Sequence, residues 1–179
     1  MSRRARLIAV DGTHGRAVVE MARRVAPDGD SAKRVSRWDA SGLFEQLVMA
    51  GDDMSAASPR LLLLLYAADL AFRLRWEIDP ALAEGQTVVA APYVDTAMAF
   101  GKACGVPVKW LNNLFMFARR PAQRHIAHAA DVASRSDAGF LEFACEHLTA
   151  HDGRTLAART RKHLKPARKS DGGGRRRLR

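Results

Sequence analysis

The residues best suited to chemistry sit where two apolar runs end. Leu7–Val10 leads into Asp11-Gly12-Thr13-His14-Gly15-Arg16, and Ala17–Val25 then carries apolar residues at helical spacing. A glycine-containing turn between a strand and a helix can aim backbone N–H groups at an anion, because a helix N-terminus carries unpaired donors and a positive dipole end. The same residues also suit a plain strand-to-helix turn. The second run, Thr87–Ala91, ends at Pro92–Thr96. In parallel α/β sheets ligands bind at the carboxyl ends of strands, so these two loops are the ones to inspect.

Other constellations are weaker. His147 and His151 lie four apart on a predicted helix, and His125 and His128 lie three apart. Neither pair has an evident third ligand, so no metal is expected. Cys104 and Cys145 make no disulfide framework and read as small buried hydrophobes. Trp38, Trp76 and Trp110 read as core or partner contacts. No Ser-His-Asp or Cys-His arrangement stands out.

Charge is unevenly placed. The 179 residues hold 29 Lys and Arg against 19 Asp and Glu, a net +10. Ten of those cations and one acid, Asp171, fall within Arg159–Arg179, which leaves 19 against 18, or +1, for everything before it. The basicity is therefore a property of the C-terminal segment. That segment contains no Phe, Tyr or Trp, so it suits salt-sensitive binding to nucleic acid or another polyanion rather than base stacking.

The elements that must position the two loops follow from pattern. Leu7–Val10 is a first strand, and Ala32–Ser36 is a weak strand candidate. Leu43–Ala50 is a short helix, followed by a polar loop over Gly51–Ala57. Ser58-Pro59 opens the best-marked helix, with serine as N-cap and proline in the first turn, running to about Ile78. Thr87–Ala91 (TVVAA) is a continuous apolar run, as in a strand buried on both faces. Further helices are predicted over Thr96–Cys104, Val108–Ala118, Ala138–His151 and Arg154–Leu164. Pro166 and Gly172-Gly173-Gly174 mark a flexible tail. Strands alternating with helices predict a mainly parallel α/β sheet over residues 1–164, with a disordered basic tail over 165–179. With 47% hydrophobic residues the body is globular. No stretch approaches the ~20 apolar residues of a membrane span. The short apolar run after MSRRAR is too brief for a signal peptide, which predicts a cytoplasmic protein without membrane contact.

LIAVDGTHGRAVV resembles the opening strand and phosphate loop of the thymidylate kinases. LLLLLYAADLAFRLRWEIDPALAEGQTVVAAPYVDTAMAFGKACG resembles their central block, with its LLxFAADR helix, PAL..G turn, Asp-Arg-Tyr strand end and D[ST]..A segment. The resemblance spans about Leu7–Ala118. It implies a P-loop NTPase-type parallel sheet flanked by helices, transfer of the ATP γ-phosphate to dTMP with Mg²⁺, and a homodimer. It further implies that Tyr66 matches an aromatic residue stacking on the nucleobase, that Arg37 matches an arginine holding the acceptor phosphate, and that Tyr93 keeps the tyrosine of Asp-Arg-Tyr. Tyr66 also suits ordinary core.

The departures concern charge. A working loop reads G-x-x-x-x-G-K-[ST]. Gly12 and Gly15 are present, but Ala17 replaces the last glycine, Val18 the lysine and Val19 the metal-holding hydroxyl. Ala91-Pro92 replace Asp-Arg, and Leu70 stands for the arginine of AADR. Arg119–Arg135 is a short and poor match to the arginine-bearing lid. One unit charge ~4 Å from a phosphate oxygen is worth roughly 4 kcal/mol at an effective dielectric near 20. That is roughly a thousandfold in rate. Arg16 is the neighbouring cation that could lend a charge. The sequence therefore predicts a degraded thymidylate kinase-like protein, a non-catalytic nucleotide-binding or protein-interaction module needing no cofactor. The alternatives are an active dTMP kinase with an atypical loop, using ATP and Mg²⁺, and a polyanion-binding adaptor working through the tail.

Overall fold

The computed structural model describes residues 5–26, 35–49, 57–128, 139–148 and 153–164. Four strands, β1 (Arg6–Gly12), β2 (Val35–Arg37), β3 (Thr87–Ala91) and β4 (Gln123–Ala127), form one sheet in the order β2-β3-β1-β4. All pairings are parallel: Leu7 lies opposite Val88, Asp11 opposite Ile126, and Arg37 opposite Ala91. The helices are α1 (Gly15–Val25), α2 (Leu43–Met49), α3 (Pro59–Arg73), α4 (Asp79–Ala83), α5 (Val94–Ala103), α6 (Val108–Leu114), α7 (Phe140–His147) and α8 (Gly153–His163).

Strand periodicity sorts the core into two layers. Leu7, Ala9, Val88 and Ala90 face the larger layer, built around α3, α5, α7 and α8. Ile8, Val10, Val89 and Ala91 face the smaller one, closed by Ala17, Val18 and Ala22 of α1. A parallel sheet needs both faces covered, and this is why β1 and β3 read as unbroken apolar runs. Ser58 caps α3 as the sequence predicts, its side chain accepting from the Leu61 N–H at 3.2 Å, with Pro59 in the first turn. The helix does not stay regular to Ile78. It ends at Arg73 and continues as a π-helical turn, Leu74–Ile78, into α4.

Several expectations need correction. β4 lies inside Arg119–Arg135, the stretch read as a lid candidate, and was not predicted as a strand. The helix expected over Val108–Ala118 stops at Leu114, and Phe115 turns inward to sit edge-on to Tyr66. α1 begins two residues earlier than expected, at Gly15. β2 is placed at Val35–Arg37, so of the expected strand Ala32–Ser36 the first three residues lie outside the described residues. Most of Gly51–Ala57, both ends of the helix expected over Ala138–His151, His151 itself, and the tail from residue 165 also lie outside them. Cys104 and Cys145 form no disulfide and pack partly buried against the larger layer. Among the described residues, no helix is long and apolar enough to cross a membrane.

Candidate functional site

The carboxyl ends of β1 and β3 lie side by side, and β1 connects onward to β2 across β3. Such a reversal of strand order is where α/β sheets open a crevice. The β1–α1 connection here is short: β1 ends at Gly12, α1 starts at Gly15, and the Val18 N–H already donates to the His14 carbonyl at 3.0 Å. Gly15 and Arg16 therefore belong to the first helical turn. Gly12 must be glycine on packing grounds, since a Cβ there would lie 2.8 Å from Val18 Cγ2 and 3.0 Å from the Ala127 carbonyl oxygen.

Asp11 points away from this loop and caps α5. Its Oδ1 accepts from the Tyr93 N–H (2.9 Å), the Thr96 N–H (2.9 Å) and the Thr96 hydroxyl (2.8 Å). Thr96 Oγ1 in turn accepts from the Gly12 N–H at 3.0 Å. Burial, and secondarily the Asp95 charge, push the Asp11 carboxyl up to about 6, against the lowering effect of the Thr96 and Tyr93 bonds. Asp95 itself holds Arg124 of β4, at 3.0 Å.

A second carboxylate occupies the mouth of α1. Glu142 Oε1 accepts from the Gly15 N–H at 2.7 Å, and Oε2 accepts from the Gly139 N–H at 3.1 Å. The cavity between the loop and the first turn of α7 measures about 10 Å³, room for a single water at most.

The other predicted residues fall as follows. Thr13 is buried, and His14 N-caps α1 through its backbone without a side-chain capping bond. Arg16 turns along the helix to Glu20, at 3.1 Å, rather than into the loop. Tyr66 is core: its side chain is 0% exposed, its ring centroid is 4.6 Å from Phe140 and 6.1 Å from Phe115, and its hydroxyl donates to the Tyr93 carbonyl. No face of the ring is open to a base. Burial pushes both tyrosine hydroxyls up, that of Tyr93 to about 12. The Tyr93 hydroxyl donates to the Arg119 carbonyl at 2.8 Å. Arg37 ends β2 with an exposed side chain. Tyr66 and Tyr93 are thus brought together, while Arg37 stands apart on the sheet edge.

No protein-family model matches the chain. It is similar to the "Probable thymidylate kinase" of Pyrobaculum calidifontis, 27% identical over 123 residues, 69% of this chain and 61% of the relative. Against that of Caldivirga maquilingensis it is 33% identical over 88 residues, 48% and 43% of the two chains. Against the "Thymidylate kinase" of Desulfosudis oleivorans it is 42% identical over 73 residues, 38% and 34%. The chain spans about half the length of the curated relatives it matches. The solved structure of thymidylate kinase from Ehrlichia chaffeensis superposes with a TM-score of 0.56 over 89% of this chain and 88% of that one, at 16% identity. This chain has a thymidylate kinase-like fold.

In that thymidylate kinase-like frame, two residues beyond the motif positions matter. Arg73 is fully buried, donating from Nε to Ser36 Oγ (2.9 Å), from Nη2 to the Ser36 carbonyl (2.8 Å) and from Nη1 to the Pro92 carbonyl (2.9 Å), with Asp69 at 3.8 Å. It ties the ends of β2 and β3 together. Helical spacing offered the signal, because Leu62, Tyr66, Asp69 and Arg73 follow one another at four, three and four residues on the buried stripe. Glu142 is the other. Its signal was Gly139-x-x-Glu142 before a helix, the spacing by which a third-position glutamate reaches back to the N-cap amide.

Proposed function

We propose that this chain is a thymidylate kinase-like protein that does not transfer phosphate from ATP to dTMP and acts by binding, as a nucleotide-binding or protein-interaction module. One observation carries the reading. Val18, at the position of the loop lysine, is 2% exposed and packs with Ile8, Val10, Val89 and Ala91. Phosphoryl transfer relies on positioning and charge neutralisation, and an apolar side chain turned into the core supplies neither. ATP with Mg²⁺ does not fit the residues present: Val19 offers no hydroxyl to a metal, and the Gly15 amide is already committed to Glu142. A coupled assay with ATP–Mg²⁺ and dTMP is expected to show no turnover above background. Turnover near ~1 s⁻¹, the low end of ordinary enzymes, would establish the active dTMP kinase instead. A homodimer, the assembly implied by resemblance, belongs to the same proposal and is read by sedimentation.

A second reading, a polyanion-binding role for the C-terminal segment, is favoured by the charge division of +9 within Arg159–Arg179 against +1 elsewhere. Removing residues after Lys165 deletes six of the ten cations. It should abolish most salt-sensitive RNA or DNA binding in a filter assay and leave the melting temperature nearly unchanged. Equal binding by the truncated chain would move the basic surface onto the fold.

A further inference from the structure

The first turn of α7 packs against the β1–α1 loop, on the side of the sheet where ligands of parallel α/β folds bind, and it presents an anion and an aromatic ring there. Glu142 supplies an anion. Its carboxylate takes amides at the N-terminal ends of two helices, Gly15 of α1 at 2.7 Å and Gly139 of α7 at 3.1 Å, an arrangement that both dipoles favour. Phe140, two residues earlier, supplies an aromatic ring. It is 1% exposed and lies 4.6 Å from Tyr66 and 5.3 Å from Phe100. Contact is close enough to require a missing side chain, since a Cβ on Gly139 would lie 2.7 Å from Gly15 Cα and 3.3 Å from Gly15 N. The remaining cavity of about 10 Å³ has room for a single water at most.

We infer that the first turn of α7 is the built-in occupant of this loop, with Glu142 standing in for an anionic group, so that a phosphate-bearing ligand reaches the Gly15 amide only by displacing it. The inference deepens the reading above in one respect, that the β1–α1 loop is the anion-facing end of the fold. Its geometry is independent of whether phosphate transfer survives. Three consequences follow from the contacts. An external anion competes with a carboxylate already hydrogen-bonded at both oxygens. Removing the carboxylate frees the Gly15 N–H while leaving Phe140 and Phe143 to anchor α7 in the core. Adding a methyl group at Gly139 pushes the turn off the Gly15 backbone, at 2.7 Å, and crowds Glu142 Oε2, at 3.1 Å, while keeping the carboxylate in the chain.

The test uses the full-length chain, ¹⁵N-labelled, titrated with inorganic pyrophosphate while the Gly15 amide resonance is followed. In the natural protein the resonance should be insensitive into the millimolar range. Glu142→Ala should bind pyrophosphate at least tenfold more tightly, with the Gly15 shift reporting it, and the Gly15 amide should exchange with solvent at least tenfold faster. Glu142→Gln keeps an acceptor oxygen and loses the charge, so it should fall between the two. Gly139→Ala should gain pyrophosphate binding while retaining Glu142. The inference is overturned if the natural chain binds pyrophosphate as tightly as Glu142→Ala, or if folded variants with dispersed spectra gain no binding. If Glu142→Ala does not fold, Glu142→Gln and Gly139→Ala decide the matter. A phosphate-transfer assay on the natural chain reports separately on the functional reading, so failure of either is seen independently.

Discussion

Among the described helices that meet a carboxylate at the N-terminus, α5 through Asp11 and α1 through Glu142 are wired differently. Asp11 comes from the adjacent strand, is shielded from water, and concentrates three donors on one oxygen. Glu142 comes from a helix beyond β4, is partly buried, and spreads two amides over two oxygens. The same dipole attraction therefore yields a fixed strut in one place and an exchangeable partner in the other. The distinction lies in burial and connectivity, not in the type of side chain.

Breaking the strut should have the larger effect. Asp11→Ala leaves the Tyr93 and Thr96 amides unpaired in a dry site, while the Thr96 hydroxyl keeps the Gly12 carbonyl at 3.2 Å, and at pH 5 we expect a loss of roughly 3–5 kcal/mol, a drop in melting temperature of ~10 °C or more by calorimetry. The loss should shrink at pH 8. The Asp11 carboxyl titrates near 6 in the fold against an ordinary 3.8, so the folded state binds the proton more tightly. The stabilisation from Asp11 protonation is complete below pH 3.8 and is lost as pH rises through 6, a change of about 3 kcal/mol. Asp11→Asn should flatten that part of the pH profile in chemical denaturation. The smallest effect belongs to Arg16, the loop cation. Its pair with Glu20 is about a third exposed on either side, and Arg16→Ala should change stability by no more than ~0.5 kcal/mol. A larger change would place Arg16 in a role that its geometry at Glu20 does not suggest.

What the sequence disclosed follows the same division between local and distant causes. The strand β3 was readable because a buried parallel strand is apolar throughout, and α3 because Ser58 and Pro59 mark its start. The two loops at the carboxyl ends of β1 and β3 could be chosen on those grounds alone. β4 escaped because Gln123, Arg124 and His125 are polar residues on an edge strand. Pairing with β1, not local propensity, makes that segment extended. The open alternative for Tyr66 closed on packing: its surroundings include Phe115 and Phe140, 49 and 74 residues away in sequence. Arg73 carried a periodic signal, and Glu142 a capping signal, but neither spacing names the distant backbone each one reaches. Arg37, matched to a motif position by resemblance alone, ends a three-residue edge strand with its side chain exposed.

The contact between Gly15 and Glu142 spans 127 positions of the chain, and this separation becomes a delay while the protein is being made. At ribosomal rates of about 5–20 residues per second, roughly 6–25 s pass between synthesis of the first partner and synthesis of the second. Throughout that interval the Gly15 amide lacks Glu142, its partner in the finished fold. The loop emerges from the ribosome open and waits for its stopper until Glu142 has followed it.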